Sequence, residues 1–192
     1  MEQQVKDRII EAGAGLIHRK GFNNTGIQEI LDAANVPKGS FYHYFKSKEE
    51  FGLRIIDYFD QHFSSVADDI LDNGEGTPLE RLKRLFTFFI EFFSSNQFSL
   101  GCPVGNLAEE MGDLSPAFRE KLKTSLDRMA ERIGAVIAQA RDAGALPESI
   151  DPMKVSYFII AAWHGAHIQM KVTKSAAPLE IHRDMVFSTI LK

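Results

Sequence analysis

Between Val36 and Phe45 the order Val-Pro-Lys-Gly-Ser-Phe-Tyr-His-Tyr-Phe gathers groups that can read a nucleic acid. Lys38 offers a cation for phosphate, while Tyr42 and His43 offer rings with polar tips that can reach base edges. Gly39 and Ser40 keep the same turn slim, so a backbone or a phosphate can come close. Phe41 and Phe45 stand four apart and share one helical face, which leaves Tyr42 and His43 pointing away from it. A second kind of chemistry sits at Gly101-Cys102-Pro103, the chain's single cysteine. A sulfur just before a proline-led helix stands where the helix N-terminus favours an anion, hence a nucleophilic thiolate. The alternative is an inert small residue of the core. His164 and His167 are three apart, a spacing that can hold a metal. No Cys, Asp or Glu lies close by in sequence, so the expectation is no metal and no cofactor, with both rings lining a pocket or a helix seam beside Trp163. Ser/His/Asp catalysis finds no strand-turn-helix elbow to stand on.

These residues need helices to hold them. Lys6 to Lys20 reads as an amphipathic helix, with Ile9, Leu16 and Ile17 at helical spacing. His18, Arg19 and Lys20 suit its negative end, and Gly21 ends it. Thr25-Gly26-Ile27-Gln28 has the form of a capping box before a short helix from Ile27 to Ala34. Asn35 can take the left-handed turn, and Pro37 can open the next helix, Lys38 to Tyr44. Helix, turn, helix at this size is the DNA-binding motif, with a first helix packed across both. Its phosphate contacts should include Thr25 and Gly26 at one helix start, and Lys38 and Lys48 at two others.

Residues 5 to 54 resemble the DNA-binding domain of the TetR family of bacterial repressors. The resemblance rests on Gly21-Phe22, Thr25, Ile27, Ile30, Ala33-Ala34, Val36, Gly39, Phe41-Tyr42-His43-Tyr44-Phe45, Lys48 and Leu53. It implies an all-α chain: a helix-turn-helix domain over residues 1–47, then an effector-binding and dimerising domain over 48–192. It also implies a homodimer through the last two helices, a palindromic double-stranded operator and release by a small-molecule effector. Gly101-Cys102-Pro103-Val104-Gly105-Asn106-Leu107-Ala108-Glu109-Glu110-Met111 further resembles the NemR-like, electrophile-responsive subgroup. That resemblance implies sensing through Cys102 and, more weakly, through Lys171; Pro103 departs from the subgroup pattern. A non-covalent apolar effector remains the alternative, with Phe89, Phe93, Phe98, Trp163 and His167 as pocket lining. A cysteine-dependent detoxifying enzyme and a structural helical adaptor are the other classes; the intact recognition segment argues against both.

Beyond residue 54 the pattern is helical throughout. Ser47 caps a long helix from Lys48 to about Leu71, and Thr77-Pro78 opens one from Leu79 to about Phe93. A short helix spans Pro103 to Met111, Ser115-Pro116 starts one running to about Ala143, Asp151-Pro152 opens one through Lys171, and Pro178 opens the last. Trp163, Gly165 and Ala166 mark the expected dimer seam, with Phe187, Ile190 and Leu191 beyond it. A net charge of −4 is unusual for a DNA binder. Residues 1–54 hold eight Lys/Arg against seven Asp/Glu, giving +1, and the remainder carries −5. A few placed cations rather than a broad basic field would have to meet phosphate. No apolar run reaches the length of a membrane span, and no signal core opens the sequence. A lone cysteine fits a reducing, cytoplasmic setting.

Overall fold

Side-chain caps mark several of the helix starts. The computed structural model describes residues 2–192, and every regular element among them is helical. The order is α1 (Glu2–Lys20), α2 (Ile27–Ala34), a 3₁₀ turn (Lys38–Ser40) leading into α3 (Phe41–Tyr44), α4 (Lys48–Leu71), α5 (Pro78–Ser95), α6 (Pro103–Met111), α7 (Pro116–Asp142), α8 (Pro152–Thr173) and α9 (Ala177–Met185). A π-helical turn, Val186–Ile190, extends α9. Thr77 and Glu80 close a full capping box on α5, and the Asp151 carboxylate accepts from the Met153 and Lys154 amides at the start of α8. Both interactions hold their carboxyls below the usual range: hydrogen bonds from Thr77 act on Glu80, and those from Lys154 on Asp151. Asn35 takes the left-handed turn after α2, φ 53°.

Two compact bodies result. The first comprises Met1–Phe63 and Pro103–Ser125, the second Ser64–Cys102 and Leu126–Lys192. In the first, Ile9, Ala14 and Ile17 of α1, Ile30 and Leu31 of α2, Phe41, Phe45, and Phe51, Ile55 and Ile56 of α4 are all buried. Phe41, Phe45 and Phe51 form a triangle of rings with centroids 5.0–5.3 Å apart. A Cβ at Gly13 would lie 2.3 Å from the Phe51 ring, so that glycine lets α1 lie directly on α4. Val104, Leu107 and Met111 of α6 and Phe118 and Leu122 of α7 are buried too. Phe118 packs on Phe22, centroids 4.9 Å apart.

The second body has two apolar clusters. One joins Leu82, Leu85 and Phe86 of α5 with Ile133, Ile137 and Ala140 of α7 and Ile159 and Ile160 of α8. The other joins Ile90 and Phe93 to Ala166, Met170 and Leu179. Arg132 ties its own helix to Asp68 and Asp72 at 2.7 and 2.5 Å. No helix among the described residues is long and apolar enough to cross a membrane.

Candidate DNA-reading surface and effector region

The segment that carries the reading chemistry is built as an inside and an outside. Ser40 N–H bonds the Pro37 carbonyl at 3.0 Å, an i→i+3 closure, so Lys38–Ser40 winds as 3₁₀ before α3 begins. Gly39 and Ser40 are weak helix formers, which explains the tighter first turn. Phe41 and Phe45 go wholly inward, as their spacing required. Tyr42 is 67% exposed, and Lys38, Gly39 and His43 are exposed beside it, with Ser40 half-buried. The His43 ring nitrogen Nε2 lies 3.1 Å from a Glu2 carboxylate oxygen. A Cβ on Gly26 or on Gly39 would meet nothing within 4 Å, and neither residue has a positive φ. The fold itself therefore demands neither glycine.

One expectation at the neighbouring helix starts is corrected, and another residue gains a second role. Thr25 does not cap α2: the N-cap is Gly26, with no side-chain bond. The Thr25 side chain is 0% exposed and donates its hydroxyl back to the Gly21 carbonyl at 2.7 Å. A buried hydroxyl so engaged cannot reach a phosphate, and only the exposed backbone at Gly26 is offered there. Lys48 also has an internal task. Its ammonium donates to the Phe22 carbonyl at 2.7 Å and stands 4.5 Å from the centre of the Phe22 ring. Burial holds its pKa below the ordinary lysine value, partly offset by the charge of Glu110.

The turn between α1 and α2 carries a feature that sequence reading missed. The Glu110 carboxylate accepts from two successive backbone amides, Phe22 N–H and Asn23 N–H, each at 2.7 Å. Its only sequence signal was Gly21, whose φ of 89° leaves the room: a Cβ there would stand 2.9 Å from a Glu110 oxygen.

In the second body the five expected pocket residues fall into one cluster. The His167 ring lies 4.7 Å from Phe93 and 4.8 Å from Trp163, centroid to centroid. Phe89, Phe98 and Trp163 pack against the same group. His167 is 5% exposed, and neither ring nitrogen has a hydrogen-bond partner. Burial, then the nearby His164, His182 and Lys171, push its pKa down to about 3, so the ring is neutral at pH 7. His182 is also shifted down by burial, against the bond its Nε2 makes to the Ile159 carbonyl at 2.9 Å. His164 lies 6.2 Å from His167 between ring centres, and no cluster of three metal-ligating side chains exists among the described residues. Cys102 is half-buried immediately before α6, and Lys171 is half-buried in the last turn of α8.

The expected seam residues are redistributed. Trp163 faces its own core, against Phe86 at 4.9 Å and His182 at 5.0 Å, and Ala166 is buried. Leu191 is buried and Phe187 partly so. What α8 leaves exposed is Met153, Tyr157, Phe158, Ala161, Ile168 and Val172, with Gly165 half-buried in the same stripe, and Ile181 and Met185 are exposed on α9. The steps of four and three residues in that stripe were visible in the sequence but overshadowed by Trp163.

Comparison with known proteins fits this architecture. Residues 9–55 match the family model of the bacterial regulatory proteins, tetR family, and residues 78–186 match that of the tetracyclin repressor-like C-terminal domain. The transcriptional regulator AcuR of Cereibacter sphaeroides is 38% identical over 172 residues, covering 89% of this chain and 78% of its own. The HTH-type transcriptional repressor NemR of Escherichia coli is 30% identical over 183 residues, 93% of this chain and 90% of its own. The crystal structure of reduced Escherichia coli NemR superposes with a TM-score of 0.86 at 28% identity, covering 96% of both chains.

Proposed function

Because this chain belongs to the TetR family and is a transcriptional repressor of that type, we propose that it acts as a cytoplasmic homodimer on a palindromic operator and is not an enzyme. Residues 1–47 serve as the reading head and 48–192 as the effector-binding and dimerising part. The single observation that carries the reading is the sidedness of Phe41–Tyr44: Phe41 and Phe45 wholly buried, Tyr42 and His43 exposed with no core role. Tyr42 and His43 read bases, and Lys38 and Ser40 meet phosphate. Gly26 and Gly39 support close approach, since nothing inside the chain needs them bare. Lys48 keeps two of its three donors after bonding Phe22, so it also serves phosphate. For Thr25 the contribution is confined to the backbone.

The effector proposal has two branches. Cys102 as an electrophile-reactive thiol is supported by the identity with NemR, whose solved structure is described as a reduced form. Lys171, half-buried on α8, would be its partner amine. The non-covalent branch is supported by His167: inside an aromatic cluster its neutral ring holds one N–H donor and one acceptor nitrogen without partners, which can meet a ligand's polar groups. Dimerisation through α8 and α9 is supported by the exposed apolar stripe. A gel shift on DNA flanking the protein's own gene tests the reading. Retardation that is competed by the same DNA and not by unrelated duplex supports it, and equal competition by both overturns it.

A further inference from the structure

We propose that Glu110, far outside the helix-turn-helix, is the positioning residue that sets the pose of the DNA-reading head. The inference rests on the DNA-binding reading above and adds a residue to it. Glu110 lies near the end of α6, within the stretch matched to the C-terminal family model. Its contacts, however, are with the segment that feeds α2.

Three groups fix that segment. Glu110 grips the Phe22 and Asn23 amides with one oxygen each, at 2.7 Å. Lys48 holds the Phe22 carbonyl at 2.7 Å. Met111 receives the Asn23 side-chain amide at 3.5 Å through its sulfur. The Phe22 ring is fixed in turn by Phe118, and a Cβ at Gly52 would strike both rings, at 2.3 and 2.6 Å. A carboxylate accepting two backbone N–H groups makes charge-assisted bonds, stronger and more directional than neutral ones. Within two residues of this grip Thr25 ends the turn, and α2 starts at Ile27. Any displacement of Phe22 and Asn23 is therefore passed to α2 through three residues of backbone, with Thr25 tied to Gly21 by its hydroxyl.

The sign of the effect separates positioning from simple charge. Glu110 is an anion on a DNA-binding protein, so as a mere charge its removal would strengthen attraction to DNA. As a positioning residue its removal weakens specific binding. Nor would the number of phosphates contacted change, so the slope of log affinity against log salt should hold.

The experiment compares the full-length protein with Glu110→Gln, which keeps the side-chain shape. Affinity for the flanking-gene DNA is measured over a salt series, and amide hydrogen exchange at Phe22 and Asn23 is measured without DNA. The expected result is about a tenfold loss of specific affinity, the equivalent of one weakened charge-assisted bond. The salt slope should be unchanged and exchange at both amides faster. Glu110→Asp, with its charge kept but its reach shortened, should fall between the two and stands in if the Gln variant fails to fold. Equal or tighter DNA binding by the variants, or unaltered exchange at the two amides, overturns the proposal. If the parent itself binds no specific DNA, the operator reading fails, while the exchange measurement still decides whether the grip exists.

Discussion

His167 gives a titration that can be worked through from its surroundings. In the unfolded chain its imidazole has an ordinary pKa of 6.5, and in the fold about 3. Between those values the unfolded chain binds a proton that the folded chain refuses. Stability is therefore unaffected by this group above pH 6.5 and is lost as pH falls below it, by about 1.4 kcal/mol per pH unit. From pH 7 to pH 5 the loss is about 2 kcal/mol. His167→Phe keeps a ring between Phe93 and Trp163 and removes the proton site. It also removes two buried nitrogens without partners, so at pH 7 the variant should be no less stable than the parent. Trp163 is the chain's only tryptophan and touches His167, which makes its fluorescence a direct reporter. Urea unfolding at pH 7 and pH 5, at fixed protein concentration, should show a pH-dependent loss smaller by about 2 kcal/mol in the variant. His182, shifted in the same direction, leaves a residual slope in both. Identical pH dependence in parent and variant would refute the reasoning.

Gly52→Ala should destabilise by about 1–3 kcal/mol in denaturant melts, because the new Cβ meets the Phe118 and Phe22 rings well inside contact distance. Val172→Glu, at a position 80% exposed on the open stripe of α8, should leave the helix content intact and convert the dimer to monomer in sedimentation; an unchanged dimer would move the seam elsewhere. Cys102→Ser should bind DNA normally yet fail to release it with N-ethylmaleimide, and release equal to the parent's would make the thiol structural and favour the His167 cluster as effector site.

The helical plan was legible because caps and prolines mark it. Thr77-Pro78, Ser115-Pro116 and Asp151-Pro152 each name a helix start by removing or satisfying a terminal amide, and all three helices begin there. The sidedness of Phe41 and Tyr42 was legible for the same local reason. Thr25 misled because Thr-x-x-Gln is a local pattern, and the hydroxyl found the Gly21 carbonyl behind it instead. Trp163 misled because size does not say which way a residue faces, and Phe86 and His182 claimed it. Glu110 was invisible because its partners, Phe22 and Asn23, lie 88 and 87 residues away and offer only backbone. No one-dimensional pattern encodes such a pairing.

Operator binding by Tyr42→Ala tests the central claim most directly. Anisotropy of labelled flanking-gene DNA and of unrelated duplex would be measured for parent and variant at the same salt. Tyr42 is 67% exposed, so the variant should keep the parent's fold and dimer while its preference for the flanking DNA collapses to the level of unrelated duplex. A folded variant that keeps the parent's preference would contradict the account.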